Sequence, residues 1–431
     1  MRRPRRGSGP PAAILPLAAA LIALGAPASV LPLPPGLQPA RVLALSAQET
    51  GVPETPTEAG FDPGVLARLD AFVDSAVADG VAPGATIAIG RADGFTWIES
   101  YGVLDTVGAV AGVPTSSRTI WDLASLTKVI GTTTAVMLLV DEGRLSLDDR
   151  VVTHLPTWAA GDPRKGDVTI RHLLTHRAGL APFRRWYLEL EGREAIDRAI
   201  DAEPLEAEPG TRERYSDIGA MTLARVVEAV SGTSLDTFLR ERLFIPLGMR
   251  DTHFTPPASL RDRIAPTELD TIYRGYHLHG EVHDENAHAY GGVAGHAGLF
   301  STAEDLARFA RLFLREGVAD DGTRLLEAAT VRDFVRRVAS TSSRALGWDT
   351  PSGPKSSAGE WMTSRAFGHT GFTGTSIWID PELDLFVIVL TNRVNPTREN
   401  TRHASMRREV ANLAVQALID REVIPREGAG G

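Results

Sequence analysis

The sequence contains no cysteine. Disulfides, thiolate nucleophiles, zinc–thiolate centres and lipid-modified cysteine anchors are therefore excluded. Lysine is scarce: Lys128, Lys165 and Lys355 are the only three, against 42 arginines. Several signatures are missing as well. No Gly-x-Ser-x-Gly elbow occurs, which argues against an α/β-hydrolase. No Gly-Lys-Ser/Thr follows the glycine-rich stretch from Gly291 to Gly298, so a nucleotide loop is not indicated. His277, His279, His283 and His288 are dense, but without a His-Glu-x-x-His spacing they read as a loop near a site rim, and no metal is expected. Beyond the N-terminal leader no apolar run is long enough for a membrane helix, and there is no repeat or low-complexity tract.

What remains is a chain of 431 residues with 43% hydrophobic and 23% charged content, enough for a core and for two or three structural units. The net charge is −9, and leaving out the five arginines ahead of Gln48 takes it to −14. Such an acidic surface excludes a nucleic-acid partner, because phosphate binding needs clustered positive charge.

Residues 1–47 read as a signal peptide and leader. Arg2, Arg3, Arg5 and Arg6 precede an apolar run from Ala12 to Leu24, short and interrupted by Pro16, and small residues follow at Ala26–Ala28 and Ala44–Ala47. A cleaved secretory signal is expected, with an uncleaved N-terminal anchor as the alternative. The mature chain is then exported, periplasmic or secreted, with no transmembrane segment. Residues 421–431 read as a tail.

Between these ends, periodicity predicts a helix over Phe61 to Asp79 and a hairpin of Gly84–Ile89 and Thr96–Gly102 around Ala92-Asp93-Gly94. Helical patterns dominate from about 126 to 290, with Leu126–Asp141 and Met221–Leu243 the longest. A helix over Ala303–Arg315, a second hairpin of Thr375–Ile379 and Leu385–Thr391, and a closing helix over about Ser405–Asp420 follow. Strand pairs at both ends with helices between them imply an α+β fold: an antiparallel sheet built from both termini, flanked by helices, with an inserted and mostly helical domain. The sheet-bearing part spans about 60–125 and 290–420, and the helical part about 126–290.

Three segments carry chemistry. In Asp122-Leu-Ala-Ser125-Leu-Thr-Lys128 a serine opens an apolar helix and a lysine lies one turn on, on the same face. Free N–H groups at a helix start favour an oxyanion beside that serine. The bland alternative is a capping serine with a solvated lysine. Lysine scarcity favours the chemical reading, because arginine cannot shed a proton whereas a buried lysine can act as a base. Ser352-Gly-Pro-Lys355 fits the same spacing in a Pro/Gly loop and reads as a chance match. The second segment, Tyr215-Ser216-Asp217, offers a phenol and a carboxylate ahead of a helix, or merely an N-cap. The third, Gly368-His369-Thr370-Gly371-Phe372-Thr373-Gly374, suits either a tight turn or an edge strand whose backbone approaches a substrate.

In this order the three segments resemble those of the serine β-lactamase and penicillin-binding-protein superfamily, with the closest likeness to its class C β-lactamase-like branch of D,D-carboxypeptidases and esterases. Thr169–Leu180, Gly280–Ala287 and Gly291–Leu306 add to the likeness, which covers about residues 60–420. The resemblance implies a β-lactamase/transpeptidase-like fold and an exported serine hydrolase that works through an acyl-enzyme. Its substrate would be a D-alanyl peptide, with peptidoglycan as a candidate partner, or another small peptide, amide or ester, with β-lactams at best poor substrates and no cofactor. It implies Ser125 as nucleophile, Lys128 as proton acceptor and Tyr215 as proton shuttle. The N–H groups of Ser125 and Phe372 would hold the oxyanion, and Asp217, His369, Thr370, Gly371 and Phe372 would face the substrate. Asp217 stands where the family has Asn, and His369 where it has Lys. From these departures, a partly charged His369 near Asp217 is expected to read substrate charge as pH passes from about 6 to about 8. The rival reading is a catalytically silent relative that binds cell-wall peptides.

Overall fold

The computed structural model describes residues 52–419, so the leader and tail lie outside the described residues. The first helix, α1, covers Pro63–Ala78, and Asp62 caps it by accepting from the Gly64 N–H. The hairpin follows as β1 (Gly84–Gly90) and β2 (Thr96–Gly102), paired antiparallel from Gly84↔Gly102 to Gly90↔Thr96. Far along the chain come β3 (Phe367–Thr370), β4 (Ser376–Asp380) and β5 (Leu385–Thr391). The five strands form one antiparallel sheet in the order β2-β1-β5-β4-β3. Both ends of the chain thus build the sheet, with β1 and β5 adjacent at its centre.

Every residue of β1 and β5 is buried. Their sequences, Gly-Ala-Thr-Ile-Ala-Ile-Gly and Leu-Phe-Val-Ile-Val-Leu-Thr, serve two cores because successive side chains alternate between the sheet's faces. Ile87, Ile89, Leu385, Val387 and Val389 join α1 and the C-terminal helix His403–Gln416 in one core. Ala88, Phe386, Ile388 and Leu390 point the other way, into the larger core shared with the helical middle of the chain and with the helix Ala303–Leu314.

The expected helix over Leu126–Asp141 is compound. Ala124–Leu126 is a 3₁₀ turn, Lys128–Thr133 is a π-helical stretch, and only Thr134–Asp141 is α-helical. The Thr134 hydroxyl donates to the Val129 carbonyl five residues back, at 2.8 Å, which favours the wide turn. Among the described residues, Ala124–Asp141 is the one helical stretch long and apolar enough to cross a membrane, and 83% of it is buried inside the fold. The expected run from Met221 to Leu243 is also divided. A helix over Asp217–Ser231 ends at Gly232, whose φ of 79° no β-substituted residue adopts readily, and a new helix starts at Leu235.

Candidate active site

The Ser125 turn is fixed from below. The buried Asp122 carboxylate accepts from the Ala124 N–H at 2.8 Å and from the His283 N–H at 2.7 Å. Ala124 itself is held at φ 46°, an unusual value for a residue with a Cβ, so the turn bearing Ser125 is locally strained. The edge of the sheet is tied to the same turn. Thr373 Oγ1 donates to the Asp122 carbonyl at 2.7 Å and Thr375 Oγ1 to the Leu123 carbonyl at 3.0 Å. Gly371 packs so closely on this turn that a Cβ there would stand 2.4 Å from the Leu123 carbonyl oxygen. Among the described residues neither the Ser125 nor the Phe372 N–H has an acceptor, which leaves a free donor on each of the two segments that pack together here.

Lys128 is 4% exposed and forms the floor. Its Nζ donates to Ser125 Oγ at 2.9 Å and to the His296 carbonyl at 3.0 Å, and pairs with Asp217 Oδ1 at 2.7 Å. Three acceptors for three protons is the coordination of an ammonium. Burial pushes the Lys128 pKa down, but the Asp217 carboxylate, with Tyr215 behind it, outweighs burial and holds it above the ordinary lysine value. The Asp217 contact thus favours the ammonium form of Lys128 at rest, the form from which it must shed a proton to act as the expected acceptor. Tyr215 lies over the pair, its ring centroid 4.8 Å from Nζ. Burial raises the phenol's pKa, opposed by Lys128 and supported by Asp217.

His369 departs from expectation. It is 2% exposed, and Asp217 is engaged with Lys128 rather than with it. Burial, then the nearby Lys128 and Arg344 charges, push its pKa down to about 3. Burial therefore favours the neutral imidazole, against the expectation that His369 reads substrate charge between pH 6 and 8. Its Nδ1–H donates to the Thr370 carbonyl at 2.8 Å, a tautomer set by the fact that a carbonyl can only accept. Thr370 and Phe372 are the more open residues of this strand end, and Phe372 is 48% exposed.

Some neighbours were not foreseen. Arg344 lies 5.6 Å from the Tyr215 ring centroid and pairs with Glu213 and Asp349. His176, at φ 54°, packs against Tyr215 with the rings tilted by 44° and their centroids 4.7 Å apart, and accepts from the Ser216 N–H. No short motif marks either residue. One glycine-rich segment, Gly291–Leu306, did signal its place: Gly295 and Leu299 bond the Thr132 and Thr127 hydroxyls behind the lysine, and a Cβ on Gly295 would stand 2.2 Å from the Ala220 carbonyl oxygen. His296 is braced by Asp284 at 2.9 Å. The four loop histidines do not converge: His277 meets Asn395, His279 two backbone carbonyls, His283 Glu268 and His288 Glu281. Lys165 is also buried, but it caps a helix end through the Ile200 and Asp201 carbonyls, and Ser352 and Lys355 lie in an exposed loop.

An antiparallel sheet edge closing over a buried Ser-x-x-Lys turn defines a β-lactamase-like serine hydrolase. The beta-lactamase family model matches residues 69–412, and the chain belongs to that family. It is 31% identical over 369 residues to a candidate D-alanyl-D-alanine carboxypeptidase of Escherichia coli strain K12, covering 79% of this chain and 85% of that protein. Among solved structures it resembles a penicillin-binding-protein homologue from Caulobacter crescentus and EstCE1, a hydrolase with promiscuous acyltransferase activity. Each is 22% identical with a TM-score of 0.65, covering 82% of this chain and 99% of the other.

Proposed function

We propose that this hydrolase is exported and acts through an acyl-enzyme on Ser125, cleaving a small ester or a D-alanyl peptide. The observation that carries the proposal is the Ser125 hydroxyl held 2.9 Å from Lys128 Nζ, and the Ser125 and Phe372 N–H groups, without acceptors among the described residues, are assigned to the oxyanion. Because Lys128 rests as an ammonium, it first passes one proton across the 2.7 Å contact to Asp217. The resulting amine takes the Ser125 proton as Oγ attacks the carbonyl carbon. Tyr215 protonates the leaving group and recovers a proton from Lys128, which is restored by Asp217. The cycle closes with the Ser125 proton on the leaving group, and water repeats it to release the acyl group. Export rests on the basic start and apolar run of the leader, and N-terminal sequencing of the secreted protein checks it.

This relay gives Asp217→Asn a distinct signature. In the wild type no net proton leaves the pair, so acylation is level from about pH 6 to about pH 9. Without the carboxylate, burial is left to lower the Lys128 pKa, and the amine must form by proton loss to solvent. Acylation in Asp217→Asn is then expected to fall at least ~10-fold at pH 6 and climb as pH rises. A level profile in the variant would remove Asp217 from the relay.

Charge balance bears on the substrate. Burial favours a neutral His369, Lys128 is matched by Asp217, and Arg344 by Glu213 and Asp349. Arg393 and Arg407, which contact no carboxylate, lie behind Phe372 with their donors spent on backbone carbonyls. A neutral ester is therefore expected to be cleaved faster than a matched ester carrying a free carboxylate, with a kcat/KM ratio constant within ~2-fold from pH 6 to 8. The pair measured at both pH values tests this. An anionic preference that fades as pH rises would instead mean that His369 carries charge.

A further inference from the structure

Behind the free Phe372 N–H lie two arginines that contact no carboxylate. Arg407, on the C-terminal helix, is 7% exposed, and Arg393 is 4% exposed. Arg407 Nη2 donates to the Gly371 carbonyl and, at 2.7 Å, to the Thr375 carbonyl, while its Nε donates to the Gly374 carbonyl at 3.0 Å. Arg393 Nε donates to the Phe372 carbonyl at 2.7 Å. Among the described residues neither arginine forms an ion pair, and burial with the facing Arg393 brings the Arg407 pKa down to about 9. Burying an unpaired cation is costly; the carbonyls of Gly371, Gly374 and Thr375 compensate Arg407, and those of Phe372, Arg398 and Asn400 compensate Arg393.

The Gly371 carbonyl and the Phe372 N–H belong to one peptide unit. A cation bound to the oxygen of an amide draws electron density from its nitrogen and strengthens the N–H as a donor, as hydrogen bonds in chains polarise one another. Resting on the acyl-enzyme reading above, we infer that Arg407 is a positioning residue for the oxyanion hole: its guanidinium polarises the Gly371–Phe372 peptide, so that the Phe372 N–H binds the developing oxyanion more strongly. Arg393 acts on the next peptide and helps hold the loop. The alternative is that Arg407 only caps loop carbonyls, which would affect stability without changing the strength of the donor.

The carbonyl stretch of the acyl-enzyme separates the two. An ester with a ¹³C-labelled acyl carbonyl is mixed with wild type, Arg407→Gln and Arg407→Lys, and the acyl band is read by infrared difference spectroscopy alongside kcat, KM and thermal unfolding. The expected result for Arg407→Gln is a band moved to higher wavenumber, acylation slower by ~10-fold or more, and KM within ~2-fold of wild type. Arg407→Lys, with one donor atom in place of several, is expected to move the band part of the way. An unshifted band in either folded variant overturns the proposal, whatever the loss of stability. An acyl band missing from the wild type overturns the acyl-enzyme reading first, and this inference with it.

Discussion

Lys128→Arg is expected to slow acylation of Ser125 by at least ~100-fold, the usual scale on which a general base is lost. Arginine keeps a positive charge opposite Asp217 but cannot release a proton in a protein, so the step that frees an amine beside Ser125 Oγ is closed. The space also resists the larger head group, because Lys128 is 4% exposed and its Nζ already meets three acceptors within 3.0 Å. Lys128→Met is the harsher companion: it removes the cation and leaves Asp217 without its partner, so thermal stability should fall along with activity. The measurement is the pre-steady-state burst with a chromogenic ester, beside thermal unfolding of each variant. A Lys128→Arg enzyme that acylates within a few-fold of wild type would end the assignment of Lys128 as the proton acceptor.

Gly371→Ala should produce a loss of similar size from the other side of the site. A Cβ at this position would stand 2.1 Å from Thr375 Oγ1 and 2.4 Å from the Leu123 carbonyl oxygen, and neither can withdraw without breaking the bond between them. The loop must move, and the Phe372 N–H moves with it. Displacing one oxyanion donor costs about 10²–10³ in kcat. Gly166→Ala is a fitting control, since nothing lies within 4 Å of a Cβ there and its φ is not positive. The two variants compared by kcat and by thermal unfolding distinguish loss of the donor from general loss of fold. Equal activity in both would mean that the Gly371 loop does not set the oxyanion geometry.

The frame of the molecule was legible in the sequence because it depends on local signals. Asp380-Pro381-Glu382 between two apolar runs, and Ala92-Asp93-Gly94 between two others, specify hairpins by turn chemistry and period alone. The Ser125–Lys128 spacing was legible for the same reason, since one helical turn brings the two side chains together. What stayed hidden depends on partners far along the chain. The π-helical stretch Lys128–Thr133 is shaped by a threonine hydroxyl and by the bond from Thr132 to the Gly295 carbonyl, 163 residues on and invisible to a periodicity count. The ionisation of His369 is set by its burial and by the nearby Lys128 and Arg344 charges, not by residue type. The charge on Lys128 likewise follows from Asp217 reaching Nζ at 2.7 Å, a distance that no spacing encodes. Lysine scarcity pointed correctly to a buried lysine, but it pointed equally to Lys165, which caps a helix end.

The central claim is that Ser125 forms the covalent intermediate, and the most direct test is to trap it. The full-length protein is quenched in acid during turnover of a neutral ester, and separately after incubation with a fluorophosphonate. Intact mass and peptide mapping then locate the added group. The account predicts one acyl or phosphonyl group per chain on the peptide containing Ser125, with neither adduct nor hydrolysis in Ser125→Ala. Hydrolysis that persists in Ser125→Ala, or an adduct on any other residue, would contradict it.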